Sequence, residues 1–204
     1  MTGISASVVL CTRDRAHRLP AALEALAAMR VPEHIDWECL IVDNASVDAT
    51  RQVVEEFIAR GHPRFRYVHE PRPGKTFALN SGIAAARGDI LAFTDDDALV
   101  APDWLAAIVD AMQGFQADGV GGRVLPLWES PCPKWLTREF WNVLALLDLG
   151  DRPFQLSWDR DPRMLYGVNY AFRRSVFEQL GPFNTILGSR GEDQELFDRL
   201  AVAN

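Results

Sequence analysis

Between Ser7 and Phe93, short apolar runs alternate with segments of helical spacing, and this alternation constrains the fold more than any other feature. Ser7–Cys11 is a β-branched run, and Leu19, Leu23, Leu26 and Met29 after it share one helix face. Trp37–Val42 reads as a second strand. The apolar stripe Val53, Val54, Phe57 and Ile58 follows on a helix with Asp48 as its expected N-cap. Phe65–His69 gives a third strand. Pro71-Arg72-Pro73-Gly74 is a loop, a helix runs from about Lys75 to Ala86 with Arg87-Gly88 as its expected C-cap, and Ile90–Phe93 is a fourth strand. Connections this short between alternating elements predict parallel strands covered by helices on both faces. Right-handed crossovers then bring every strand's carboxyl end to one edge of the sheet.

Three polar clusters fall on that edge: Thr12 to Asp14, Asp43 to Ser46, and Asp95 to Asp97. Each alone reads as turn chemistry. Together they mark the crevice in which open α/β sheets bind ligands. Asp95, Asp96 and Asp97 follow a buried run directly, so they form either a solvated acidic turn or a site for a hard cation such as Mg2+ or Mn2+. A nucleotide diphosphate would be served by such a cation on Asp95 or Asp97, supplemented by Arg13, Arg72 and Lys75. Lys75 also stands at a helix N-terminus, where free N–H groups favour anions. For Arg13 and Arg72 the competing reading is a solvated surface charge.

Beyond Asp97 the rhythm changes. Trp104, Ile108 and Met112 fit a helix begun by Pro102-Asp103, and Val120–Leu125 fits a strand. From Pro126 to Pro162 the chain is rich in Trp and Pro. Trp128, Trp135, Trp141 and Trp158 suit a sugar-binding groove or a core, and Trp135 with Phe140–Leu147 also suits peripheral contact with a membrane. A strand at Gly167–Phe172, a short helix at Ser175–Leu180 and a helix at Gln194–Ala203 complete the chain. Glu192 and Asp193 precede that last helix, where the macrodipole alone accounts for an acid, and a general base is the alternative.

The net charge of −7 excludes a nucleic-acid surface, since no basic patch gathers anywhere. Three widely spaced cysteines, Cys11, Cys39 and Cys132, fit a reducing compartment and neither a disulfide framework nor a zinc site. The N-terminus has no signal-peptide pattern, and no apolar run approaches the roughly 18 residues of a membrane span. These features lead to the expectation of a cytoplasmic protein, with peripheral contact at the inner face of the membrane as its one membrane association.

Several motifs resemble family 2 glycosyltransferases in order and separation: Ser7 to Arg15, Ile41 to Ser46, Gly74 to Ile83 with Asn80-Ser81-Gly82-Ile83, Phe93 to Asp97, Gly167 to Arg174, and Gly191-Glu192-Asp193. The resemblance implies a GT-A fold, a Rossmann-like three-layer α/β/α sandwich with a mostly parallel central sheet, and transfer of a sugar from a nucleotide-diphospho-sugar with inversion. It implies a nucleotide-sugar-binding half over residues 1–125 and an acceptor-side half over 126–204. Thr12, Arg13, Asp43, Lys75, Asp95 and Asp96 would bind the nucleotide sugar, with Asp97 and Asp95 on Mn2+ or Mg2+ and Asp193 as the catalytic base. The expected donor is a UDP-sugar and the acceptor a glycan or a lipid-linked glycan. Asp96 makes the middle position of the acidic motif an acid, and Arg13 stands where many relatives carry an aromatic. The chain ends soon after Asp193, which implies either a shortened or a minimal member.

Two other functions compete. A sugar-nucleotide nucleotidyltransferase normally carries a glycine-rich loop after its first strand, and Thr12-Arg13-Asp14-Arg15 contains no glycine. A non-catalytic module would hold nucleotide or glycan without turnover.

Overall fold

The computed structural model describes residues 3–156, 165–187 and 191–203, with the side chains of 142 and 143 excepted. One six-stranded sheet has the order β3-β2-β1-β4-β6-β5. β1 (Ile4–Thr12), β2 (Ile35–Asp43), β3 (Phe65–His69) and β4 (Ile90–Asp95) are parallel, with Val9 opposite Leu40 on one side and Phe93 on the other. β6 (Tyr170–Arg173) runs antiparallel between β4 and β5 (Gly119–Gly121), so residues from both ends of the chain build the same sheet.

Strand alternation divides the apolar side chains between two cores. Val8 and Leu10 of β1, Cys39 and Ile41 of β2, and Ile90 and Ala92 of β4 face α1 (Leu19–Ala27), α2 (Thr50–Ala59) and α4 (Trp104–Gly114). Val9, Leu40, Val42, Leu91 and Phe93 face α3 (Lys75–Ala85), α5 (Arg174–Leu180) and α6 (Glu192–Ala203). The expected helices on both faces are therefore present, and the parallel strands are buried on both sides as such sheets require.

Three local expectations need correction. Asp48 lies one residue before the N-cap position, which Ala49 occupies, although its carboxylate still accepts the Thr50 N–H at 2.9 Å. α3 ends through Ala86 in an extended conformation, not through a Gly88 cap. Gly88 serves close packing instead, since a Cβ there would come within 2.4 Å of the Ala6 backbone. The strand expected at Val120–Leu125 is cut to Gly119–Gly121, because the Gly122 N–H turns to the Asn169 carbonyl and only an isolated bridge from Val124 to Leu147 follows.

Candidate active site

β1, β2 and β4 end on the same edge, and a cavity of about 510 Å³ opens there, beside the β1–β4 boundary at which the strand order changes direction. Thr12, Arg13, Lys75, Asp95, Asp96 and Asp97 all line it. The loops around it are tightly turned and cross-linked. Asp14 and Ala45 adopt left-handed backbone conformations, φ 52° and 57°, and Asp14 accepts the Val47 N–H while Ser46 accepts the Asp14 N–H.

Asp43 is only 2% exposed, and its two oxygens accept the Ser46 N–H at 3.0 Å and the Tyr67 hydroxyl at 2.7 Å. Its neighbour Asn44 lines the cavity and fixes the following loop, donating to the Arg72 carbonyl at 2.7 Å and accepting the Gly74 N–H at 2.8 Å. By sequence Asn44 reads as turn chemistry, and its signal for this role is an amide at a strand end, ahead of a Pro-Gly loop. Arg72 chelates Glu70 with two bonds of 2.8 Å and lies over the Phe77 ring, which directs it away from the anion-binding role expected of it.

The three consecutive acids differ. Asp96 is buried and accepts the Thr12 hydroxyl at 2.6 Å. Burial pushes its pKa up, against the pull of that hydrogen bond. Asp95 is half-buried and Asp97 exposed, and both line the cavity. The Thr12 bond draws Asp96 into the gap between β1 and β4, while Asp95 and Asp97 stay closer to solvent.

Lys75 joins this cluster to the far end of the chain. Its Nζ lies 3.7 Å from Asp95 and 3.4 Å from Glu192, the first residue of α6. Burial works against its charge, but Asp95, Asp193 and Glu192 outweigh burial and raise its pKa, so it is an ammonium ion. Glu192 is 4% exposed and was not assigned from sequence, because a first-turn acid is explained by the helix alone. Beside it, Asp193 accepts the Tyr170 hydroxyl at 2.7 Å and the Gly167 N–H at 3.1 Å. Burial raises the pKa of Asp193; Tyr170, Lys75 and the Gly167 N–H oppose that rise and Glu192 adds to it. Cys11 lines the cavity as a thiol, its pKa pushed up to about 12 by burial.

Outside the cavity, Trp128 and Trp135 are 41% and 72% exposed, which removes the core reading for both. Trp141 is half-buried under the Arg138 guanidinium. Trp158 lies outside the described residues. No helix among the described residues is long and apolar enough to cross a membrane.

A mostly parallel sheet, helices on both faces and an acid-lined cavity at the strand ends define a GT-A glycosyltransferase fold. TarS of S. aureus has this fold with a TM-score of 0.75 over 96% of this chain and 55% of that chain, at 17% identity. The chain belongs to glycosyl transferase family 2, whose model matches residues 7–181. It is 27% identical over 91% of its length to a glucosyl-dolichyl phosphate glucuronosyltransferase of Haloferax volcanii, and 31% identical over 95% to the succinoglycan biosynthesis protein ExoM of Rhizobium meliloti. It spans 58% and 60% of the lengths of those two relatives. The mannosyltransferase PcManGT of Pyrobaculum calidifontis, solved in complex with GDP-Man and Mn2+, is 27% identical with a TM-score of 0.68, over 88% of this chain and 47% of that one.

Proposed function

We propose that this chain transfers a sugar from a nucleotide-diphospho-sugar to an acceptor hydroxyl by a single inverting displacement. The observation that carries this reading is the Lys75 ammonium between Asp95 at the end of β4 and Glu192 at the start of α6, which joins a carboxylate cluster suited to the leaving diphosphate to the helix turn that also carries a proton acceptor. Asp193 is that proton acceptor: its raised pKa makes it a better base than an exposed aspartate, and it takes the proton of the acceptor hydroxyl as that oxygen attacks the anomeric carbon. Lys75 and Arg13 face the diphosphate, and Thr12 and Asp43 the nucleoside. Asp43 has acceptor lone pairs beyond those that Ser46 and Tyr67 use, so a nucleoside donor would still find an acceptor there.

Hard oxygen donors beside an anionic ligand suit Mn2+ or Mg2+, and Asp97 with Asp95 would hold the ion, since Asp96 is engaged by Thr12. No group of three or more His, Cys, Asp or Glu among the described residues is arranged to hold a metal, so phosphate and water would complete the coordination. When bound, the cation offsets charge on the departing diphosphate. The Mn2+ and GDP-Man in the PcManGT complex support this reading. The names of the two curated relatives favour a polysaccharide or lipid-linked acceptor.

Calorimetry with UDP-, GDP- and dTDP-sugars in Mn2+, followed by a sugar-release and transfer assay, tests the proposal. Asp97→Ala should abolish metal-dependent binding. Asp193→Asn should keep binding while turnover falls roughly a thousandfold, within the span of general-base effects. Transfer by Asp193→Asn at the wild-type rate would overturn the choice of base, and binding without any wild-type turnover would leave a non-catalytic module.

A further inference from the structure

We infer that Tyr170, together with the turn that leads into it from Gly167, is the positioning device for Asp193, holding its carboxylate in one orientation toward the acceptor. The inference rests on the proposed role of Asp193 as base.

The Tyr170 ring is fixed on several sides. It meets Phe93 edge-on at 5.3 Å and Phe197 at 6.1 Å, with Phe172 tilted against it at 5.2 Å. Among the described residues every ring in this cluster except Tyr170 is a phenylalanine, and Tyr170 itself is 1% exposed. Packing alone would be served by another Phe, since a buried hydroxyl without a partner is costly. The hydroxyl here donates to Asp193 Oδ1. A polar atom has been placed in an apolar wall where it reaches the carboxylate.

The second donor is equally constrained. The Gly167 N–H meets Asp193 Oδ2, and a Cβ at residue 167 would stand 2.9 Å from that oxygen and 3.2 Å from the other. Glycine is thus what lets the carboxylate lie against the backbone. Asn169 locks the turn through all its polar groups: its N–H donates to the Tyr166 carbonyl, its carbonyl accepts the Gly122 N–H, its amide donates to the Arg123 carbonyl, and its side-chain oxygen accepts Trp104 Nε1. One carboxylate is therefore held at both oxygens by donors that cannot follow it if it rotates, which is the pre-organisation a base requires. The other charged groups facing Asp193 are Lys75 from α3 and its neighbour Glu192 in α6.

Tyr170→Phe keeps the ring and removes only the donor. Because the lost bond favours the ionised carboxylate, the Asp193 titration followed by 13C NMR of its carboxyl carbon should move to higher pH, and the acid limb of the kcat profile should move with it. With the donor KM unchanged, kcat should fall about tenfold, the scale of one hydrogen bond to a charged group. Gly167→Ala should also lower kcat, by displacing the carboxylate, and thermal melting should show both variants folded. In an Asp193→Asn background Tyr170→Phe should add nothing further. An unmoved Asp193 titration or an unchanged kcat in Tyr170→Phe overturns the inference. If the wild-type chain transfers no sugar, the proposed function fails instead, and the NMR titration still reports whether Tyr170 holds Asp193.

Discussion

The sheet body and the segment over residues 125–156 are held by different forces. In the body, Val8, Leu10, Leu40 and Leu91 are at most 1% exposed, and side chains from helices on both faces of the sheet interlock with it. In the segment, Leu127 is 77% and Phe154 54% exposed. Regular structure among its described residues is one 3-10 turn, Arg138–Leu144, and a single bridge back to Val124. What ties it down is charge: Arg123 and Arg138 share Asp148, and Arg123 also pairs with Asp151. The body spends its apolar residues on rigidity, which keeps strand-end carboxylates in register. The segment leaves Leu127, Phe154 and others in water and, beyond its bridge to Val124, relies among the described residues on charge pairs that solvent screens.

The largest effect should come from emptying the body. Leu10 lies at 0% exposure on the central strand, two residues before Thr12, and Leu10→Ala should cost about 3 kcal/mol in urea unfolding, the usual price of a buried leucine. The same truncation at Leu127 should stay within about 0.5 kcal/mol, as for ordinary surface sites. Equal costs would mean that the segment is packed as the body is.

This division also explains what could be read from the sequence. β1, β2 and β4 were legible because their apolar runs end abruptly in polar clusters, and parallel topology then fixes where those clusters meet. Glu192 was not, since helical spacing cannot say which first-turn acid faces Lys75. Tyr170 was hidden more thoroughly: a tyrosine in Tyr170-Ala171-Phe172 reads as core, and its ring is core, while only its hydroxyl belongs to the site. What Asp96 contacts is likewise open in the sequence, whereas in the fold Thr12 on the neighbouring strand engages it. In each case the missing information is a contact between residues far apart in sequence.

An intermediate effect should come from acid. Glu70 joins the end of β3 to the loop before Lys75, accepting the Arg72 N–H and guanidinium and the Ser81 hydroxyl. The bond from Arg72, with those from Ser81 and the backbone, holds its pKa down at about 2. A carboxylate depressed on folding contributes stability that is complete above its unfolded value, near 4.3, and disappears as pH falls through the folded value. The wild-type protein should therefore lose stability as pH drops from about 4.3 toward 2, and Glu70→Gln should flatten that part of the curve. The loss should be smaller than for Leu10→Ala, because Arg72 is largely in water and part of its attraction is screened. An unaltered acid slope in Glu70→Gln would assign the loss to other carboxylates.

The smallest effect on global stability, and the sharpest regional one, belongs to Asp148. Its side chain is 11% exposed and stands 3.0 Å from Arg123 and 3.4 Å from Arg138, so one carboxylate serves the stem of the segment and its 3-10 turn together. Asp148→Asn keeps the shape and removes the charge. Pairs with partners this exposed are each worth roughly 0–1 kcal/mol, so the melting temperature should barely move. Hydrogen exchange should nevertheless quicken across residues 125–156 and stay unchanged in β1, β2 and β4, because local opening need not involve the body. Salt supplies the control. Raising ionic strength from about 0.05 to about 0.5 M should quicken the same amides in the wild-type chain and have little further effect in the variant, since the screened interaction is already gone. Exchange that quickens in the strands as well would show that the segment and the sheet open as one unit.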